Sequence, residues 1–262
     1  VLADAPPPGA EPLALGGRLL RVYGTDLALR PTALYANFVQ SIDGVVALPE
    51  VESSGSVLSG KSAADRFVMA LLRATASAVL IGAGTLRDTP NHHWTAEHVF
   101  PDLAADWTEL RRALSLDARP RLVVITAGGA VDVNHPAIRA GATFLTTTAG
   151  ASRLKDIIPR GCVVKAWDEE RVPLPAALAW LRERGYARIL SEAGPTVMGQ
   201  LLQEDLADDL FLTLSPVIAG REREGRLGLA EGVALLPERR VEARVASVRR
   251  SADYLLVRYA LK

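Results

Sequence analysis

The stretch LSEAGPTVMGQLL, residues 190–202, sets the reading of this chain. It closes an apolar, strand-like run that begins at Ala187, breaks at Ser-Glu-Ala-Gly-Pro and resumes at once with helical apolar spacing. Proline is at home in the first turn of a helix, where its missing N–H costs nothing. A glycine before it permits a tight turn and close approach by another group. A strand, a small-residue turn and a helix N-terminus in succession form an anion-binding device, because free N–H groups and the helix dipole both favour negative charge. The same residues also suit an ordinary strand-to-helix connection, and this stretch alone leaves both readings open.

Outward from it, strand-like and helix-like segments alternate. Apolar runs predict strands at 34–40, 78–82, 122–126, 142–146, 162–166 and 187–190. Helices are expected at 63–74, 174–185 and 195–204, and another where Leu103, Trp107, Leu110 and Leu114 share one face. Past residue 209 the character changes. Residues 209–214, VEARVASV (241–248) and YLLVRYAL (254–261) are strand-like, with no helix between the last two, so these close as an antiparallel hairpin. Alternation followed by antiparallel strands implies an α/β fold with a mixed sheet and helices on both faces. Residues 1–12, VLADAPPPGAEP, read as a flexible lead-in, and no internal repeat is present.

The chain has 262 residues, 49% hydrophobic and 23% charged, with 30 basic against 30 acidic side chains. That composition fits a globular protein with a real core, and its zero net charge argues against a nucleic-acid or anionic-membrane partner. No apolar run approaches the ~20 residues that span a bilayer, and no signal peptide is expected. The single cysteine, Cys162, excludes a disulfide within the chain and fits a reducing, cytoplasmic setting.

Several motifs need weighing. GSVLSGKS, residues 55–62, matches the phosphate-loop pattern G-x-x-x-x-G-K-[ST] in full, but that motif needs a buried strand leading into its first glycine. PEVESS precedes it here, so the match reads as accidental, with Ser62 and Asp65 opening the next helix as a capping pair. VLIGAGTLRDTP, residues 79–90, carries Arg87 where a dinucleotide fingerprint wants its third glycine. What remains is a buried strand ending in Gly82-Ala83-Gly84-Thr85, which suits either a phosphate or a plain turn. His92, His93 and His98 in NHHWTAEHV lack a metal-binding spacing, and no metal is expected. In SIDG, Asp43 either bonds a ligand or closes a turn ahead of Gly44.

Taken in order, ANFVQSIDG, LIGAGTLRDTP, RLVVIT, ILSEAGPTVMGQLL and DDLFLTLSPVIAG resemble the reductase domain of bacterial riboflavin biosynthesis. The likeness is nearest to stand-alone pyrimidine reductases of actinobacterial type and runs from about residue 32 onward. It implies a three-layer α/β/α, dihydrofolate-reductase-like fold over 32–262, with 1–31 as an N-terminal arm. The zinc deaminase domain that accompanies some members needs a His/Cys/Cys site, which one cysteine cannot supply.

The resemblance implies NADPH as cofactor, a small-molecule ribosylaminopyrimidine phosphate as substrate, and a homodimer, with the closing hairpin as a candidate pairing edge. Ala193, Gly194, Pro195 and Thr196 would hold the NADPH pyrophosphate. Gly82, Gly84 and Thr85 would grip the cofactor from the neighbouring strand end, with Thr146 and Thr147 bordering the adenosine. Thr126, ahead of Ala127-Gly128-Gly129, would stand at the 2′-phosphate, and Asn37, Ser41 and Asp88 on the substrate side. Glu192 and Asp43 are the candidate catalytic carboxylates, for polarising the substrate or relaying a proton. Departures from the family pattern lie at Val45, where lysine is frequent, at Thr89 for asparagine, and at Ala193 for the first glycine. A basic residue frequent after Pro90 is also replaced. These changes bear on the substrate and its phosphate rather than on the fold. A reductase of another small molecule such as a dihydropterin, or a non-catalytic dinucleotide-binding module, remains as an alternative.

Overall fold

In the computed structural model, which describes residues 1–221 and 225–261, apolar side chains alternate across a parallel sheet and bury on both faces. Val79, Ile81, Val124 and Phe144 point into one core, and Leu80, Val123 and Leu145 into the other. A sheet covered on both sides needs such continuous apolar strands, which explains the uninterrupted runs in the sequence.

The chain begins with β1 (Ala3–Asp4), β2 (Glu11–Leu13), α1 (Gly17–Tyr23), β3 (Leu27–Leu29) and β4 (Ala33–Gln40). Then come α2 (Ser54–Leu58), α3 (Ala63–Thr75), β5 (Ala78–Gly82), α4 (Ala83–Arg87), α5 (Ala96–Val99) and α6 (Ala104–Ala113). The middle continues with β6 (Arg121–Thr126), α7 (Pro136–Arg139), β7 (Ala142–Thr147), α8 (Thr148–Leu154) and β8 (Val163–Trp167). It ends with α9 (Leu174–Glu183), β9 (Arg188–Ser191), α10 (Pro195–Gln203), β10 (Asp209–Leu214), β11 (Arg244–Ser251) and β12 (Tyr254–Ala260).

The main sheet runs β1-β11-β12-β10-β4-β9-β5-β6-β7-β8. Strands from β10 to β8 are parallel, whereas β12 pairs antiparallel with both β10 and β11. The mixed sheet and the closing hairpin are therefore as the sequence implied. Helices α3 and α6 cover one face through Phe67, Leu71 and Trp107, and α9 and α10 cover the other through Leu178, Leu181 and Leu201. No helix among the described residues is long and apolar enough to cross a membrane.

The N-terminus departs from expectation. Residues 1–12 are not a loose lead-in, because β1 pairs with β11 and β2 with β3. Pro6, Pro7 and Pro8 fall between the two strands, where no ladder needs their N–H groups, and Pro12 lies within β2 opposite Ala28. Leu13, Leu15, Leu19, Leu27 and Leu29 then enter the same core as Phe67 and Leu71. Arg258, 4% exposed, binds this segment to the sheet by donating to the Ala28 carbonyl and to Asp209 Oδ1. The outer edge of β11 is covered by β1 over two residues, Val248 and Ser247.

Candidate active site

In open parallel sheets, ligands collect beyond the carboxyl ends of strands where the chain departs in opposite directions. Strands β4, β9 and β5 are neighbours at such a point, with β6, β7 and β8 to one side and β10 to the other. A cleft of about 390 Å³ opens there. Its lining includes Asn37, Gly84, Thr85, Asp88, Glu192, Ala193, Gly194 and Pro195 from the residues singled out in the sequence.

An ion pair lies at the centre. Glu192, one residue past β9, accepts from Arg73 twice: Nε to Oε1 at 2.9 Å and Nη2 to Oε2 at 2.6 Å. Arg73 is 2% exposed, and its Nη1 also donates to the carbonyls of His93 and Thr95. Two parallel bonds between a planar guanidinium and a carboxylate fix orientation as well as charge. Sequence reasoning missed Arg73. Its signal was an ionisable residue inside the apolar run Leu71-Leu72-Arg73-Ala74, where a helix face otherwise turns into the core.

Helical spacing of four places Asp65, Met69 and Arg73 in one row along α3, and all three line the cleft. The Ser62 hydroxyl accepts from the Asp65 N–H at 3.5 Å, so the expected cap starts this helix. The accidental phosphate-loop match becomes the short helix α2, whose turn is closed by its own bonds, Ser59 N–H to the Gly55 carbonyl among them. Ser53, Ser54, Gly55 and Ser56 form one wall of the cleft. Burial pushes the Asp65 carboxyl up to about 6, helped by the charge of Glu192 and opposed by hydroxyls of Thr213 and Ser59. Burial holds the His92 imidazole neutral, its pKa lowered to about 2 with the Arg73 charge as a further cause.

Two glycine-led helix starts face the cleft from adjacent strands. Gly82 caps α4 at the end of β5, and Gly194 caps α10 just beyond β9, with Pro195 at the first helical position. A Cβ at either glycine would meet nothing within 4 Å, so both leave backbone open to a ligand. Such starts suit the pyrophosphate of a dinucleotide, and the residues present fit that group. Thr196 is exposed on the first turn of α10.

Other predicted site residues lie apart from the cleft. The Asp43 carboxylate accepts from Ser41 Oγ at 2.6 Å and from the N–H groups of Ala219 and Gly220 at 2.9 and 2.7 Å. The Ser41 bond, followed by that from Ala219, holds its pKa down at about 2. Ser41, fully buried, takes the Val45 N–H at 3.0 Å, so both residues knit the 41–45 turn to the 217–220 loop. Thr126, Thr146 and Thr147 sit at the ends of β6 and β7 and are buried. Thr126 accepts from the Gly129 N–H, while Thr146 and Thr147 donate to the Ala127 carbonyl. Arg153, from α8, donates to the Gly128 carbonyl at 3.0 Å, which sets an exposed cation beside the 126–129 turn. Among the described residues, no group of three or more His, Cys, Asp or Glu is arranged to hold a metal ion.

A family model described as the RibD C-terminal domain matches residues 32–253. A 2,5-diamino-6-ribosylamino-4(3H)-pyrimidinone 5′-phosphate reductase of Archaeoglobus fulgidus is 24% identical over 213 residues, covering 80% of this chain and 90% of that protein. Among solved structures, a pyrimidine reductase-like protein of Corynebacterium diphtheriae superposes with a TM-score of 0.67 at 19% identity, over 93% of this chain and 98% of that one. The riboflavin biosynthesis reductase Rib7 of Saccharomyces cerevisiae gives 0.61 at 13% identity, over 94% and 98%.

Proposed function

This chain belongs to the RibD C-terminal domain family, and from that premise we propose that it is an NADPH-dependent reductase of riboflavin biosynthesis. Its substrate is a ribosylaminopyrimidine 5′-phosphate, whose ribosyl side chain becomes ribityl. The observation that carries this reading is the meeting, in one cleft, of the Arg73–Glu192 pair with Gly84 in the first turn of α4 and the open helix start at Gly194.

Bound NADPH supplies the hydride. Gly82, Gly84 and Thr85 would grip the cofactor from the end of β5, and Ala193, Gly194, Pro195 and Thr196 would hold its pyrophosphate beyond β9. Thr126, Thr146 and Thr147 shape the adenosine end by closing the 126–129 turn, and Arg153 offers that turn a positive charge for a 2′-phosphate. Asn37, Asp88 and Glu192 meet the substrate, with Glu192 held in place by Arg73. Asp43 and Ser41 act from behind by holding the 217–220 loop. The reductase domain is 32–262, sharing its core with the arm 1–31, and the working form is a cytoplasmic homodimer.

Mixing the protein with NADPH and the pyrimidinone phosphate, or its aminouracil counterpart, and following loss of NADPH absorbance tests this. No oxidation with either compound refutes it. One observation favours a second substrate class. Among the described residues lining the cleft, Arg73 is the sole Lys or Arg, and Glu192 already engages it. An unphosphorylated substrate such as a dihydropterin needs no further cation, so the assay includes dihydropterins and the dephosphorylated pyrimidine.

A further inference from the structure

The roles assigned above leave one buried carboxyl of the cleft unused. Asp65 is 4% exposed and lines the cleft in the same α3 row as Met69 and Arg73. Its place in the first turn is set by the Ser62 cap. The groups facing it come from three directions. Thr213 on β10 and Ser59 ahead of α3 hydrogen-bond its carboxyl, and Glu192 beyond β9 repels its negative charge. Arg73, on its own helix, is neutralised by Glu192, and His92 is uncharged in this cleft.

Reduction of a glycosylamine carbon needs an acid as well as a hydride. Glu192 is already engaged, its two oxygens accepting from a buried guanidinium. Asp65 has the opposite surroundings: no cation among the described residues bonds it, its exposure is low and a negative charge stands nearby, which together favour retaining a proton and outweigh the hydroxyls of Thr213 and Ser59.

Resting on the reductase reading, we propose that Asp65 is the catalytic acid of this cleft. The hydride that C1′ of the sugar receives would come from NADPH, which would be oxidised to NADP⁺. The bond from C1′ to the ring oxygen breaks, its electron pair goes to that oxygen, and the oxygen takes the Asp65 proton. Carbon C1′ is thereby reduced, and the Asp65 carboxylate regains its proton from solvent.

The carboxyl, raised to about 6, must be protonated to act, so the rate falls as pH rises through that value. Single-turnover hydride transfer, followed from about pH 5 to about pH 8, reads this directly. The parent protein should lose about tenfold in rate per pH unit above its midpoint. Asp65→Asn, which keeps size and polarity, should be slower by about a hundredfold or more and flat with pH, with unchanged NADPH affinity. Thr213→Val removes a hydroxyl that stabilises the carboxylate, so its midpoint should move upward. This second variant keeps the test decisive if Asp65→Asn folds poorly. An Asp65→Asn protein with the parental rate and pH limb, or a Thr213→Val midpoint that stays put, overturns the assignment of the acid alone. A parent protein that neither binds nor oxidises NADPH removes the reductase reading, and this proposal with it.

Discussion

Replacing Glu192 by alanine tests the centre of the cleft through stability alone. Arg73 is 2% exposed and spends Nε and Nη2 on Glu192, at 2.9 and 2.6 Å, while Nη1 stays tied to the His93 and Thr95 carbonyls. Deleting the carboxylate leaves a buried cation with two donors facing empty space. Breaking a buried pair from one side typically costs about 3–5 kcal/mol. The Glu192 side chain is 10% exposed toward the cleft, so water reaches the vacated position and the expected loss is about 3 kcal/mol. In urea, with a slope of about 2 kcal/mol/M, that moves the unfolding midpoint down by about 1.5 M. Arg73→Met combined with Glu192→Ala removes the stranded charge, so the double variant should be no less stable than Glu192→Ala by itself. The resulting coupling energy should be about 2 kcal/mol or more. A loss below about 1 kcal/mol for Glu192→Ala, or single effects that simply add, would refute the buried-pair argument.

Gly150→Ala should destabilise the protein despite alanine's better helix propensity, because the new Cβ would clash with Thr146 Oγ1 and lie 2.5 Å from the Ala127 carbonyl oxygen. Overpacking of this kind costs about 1–3 kcal/mol, and an unchanged melting temperature would contradict it. Gly194→Asp should fold normally, since φ is −63° and nothing lies within 4 Å of its Cβ. It puts a carboxylate against the N–H groups proposed to hold the pyrophosphate, so NADPH affinity should drop at least about tenfold in a fluorescence titration; parental affinity would count against this turn as the cofactor site. The protein should bind NADPH in preference to NADH, and Arg153→Gln should narrow that preference by about tenfold or more, the worth of one charge-assisted bond. Dissociation constants for both dinucleotides at one ionic strength decide it, and an unaltered ratio would remove Arg153 from the 2′-phosphate.

Local information decided much of this molecule. The strand and helix over 187–204 were legible because a short apolar run, a Gly-Pro pair and a return to helical spacing are all set by near neighbours. The same holds for the strand at 78–82 and for the hairpin, where no helix separates two alternating runs. The accidental phosphate-loop match was recognisable on local grounds too, since no strand leads into it. Other features depended on which distant segments meet. Nothing near residues 1–12 announces that two-residue β1 finds an open edge on β11, because that edge exists only once the sheet is built. Asp43 and Thr126 are polar residues at strand ends, where local sequence permits a ligand contact. In the folded chain, Ala219 and Gly220 engage Asp43 and Gly129 engages Thr126. Arg73 and Asp65 look like ordinary helix charges until α3 packs against β9 and brings residue 73 to residue 192. Periodicity specifies which face of a helix is buried. The partner that a buried charge meets is specified by packing across more than a hundred residues of chain, where desolvation makes only the paired arrangement affordable.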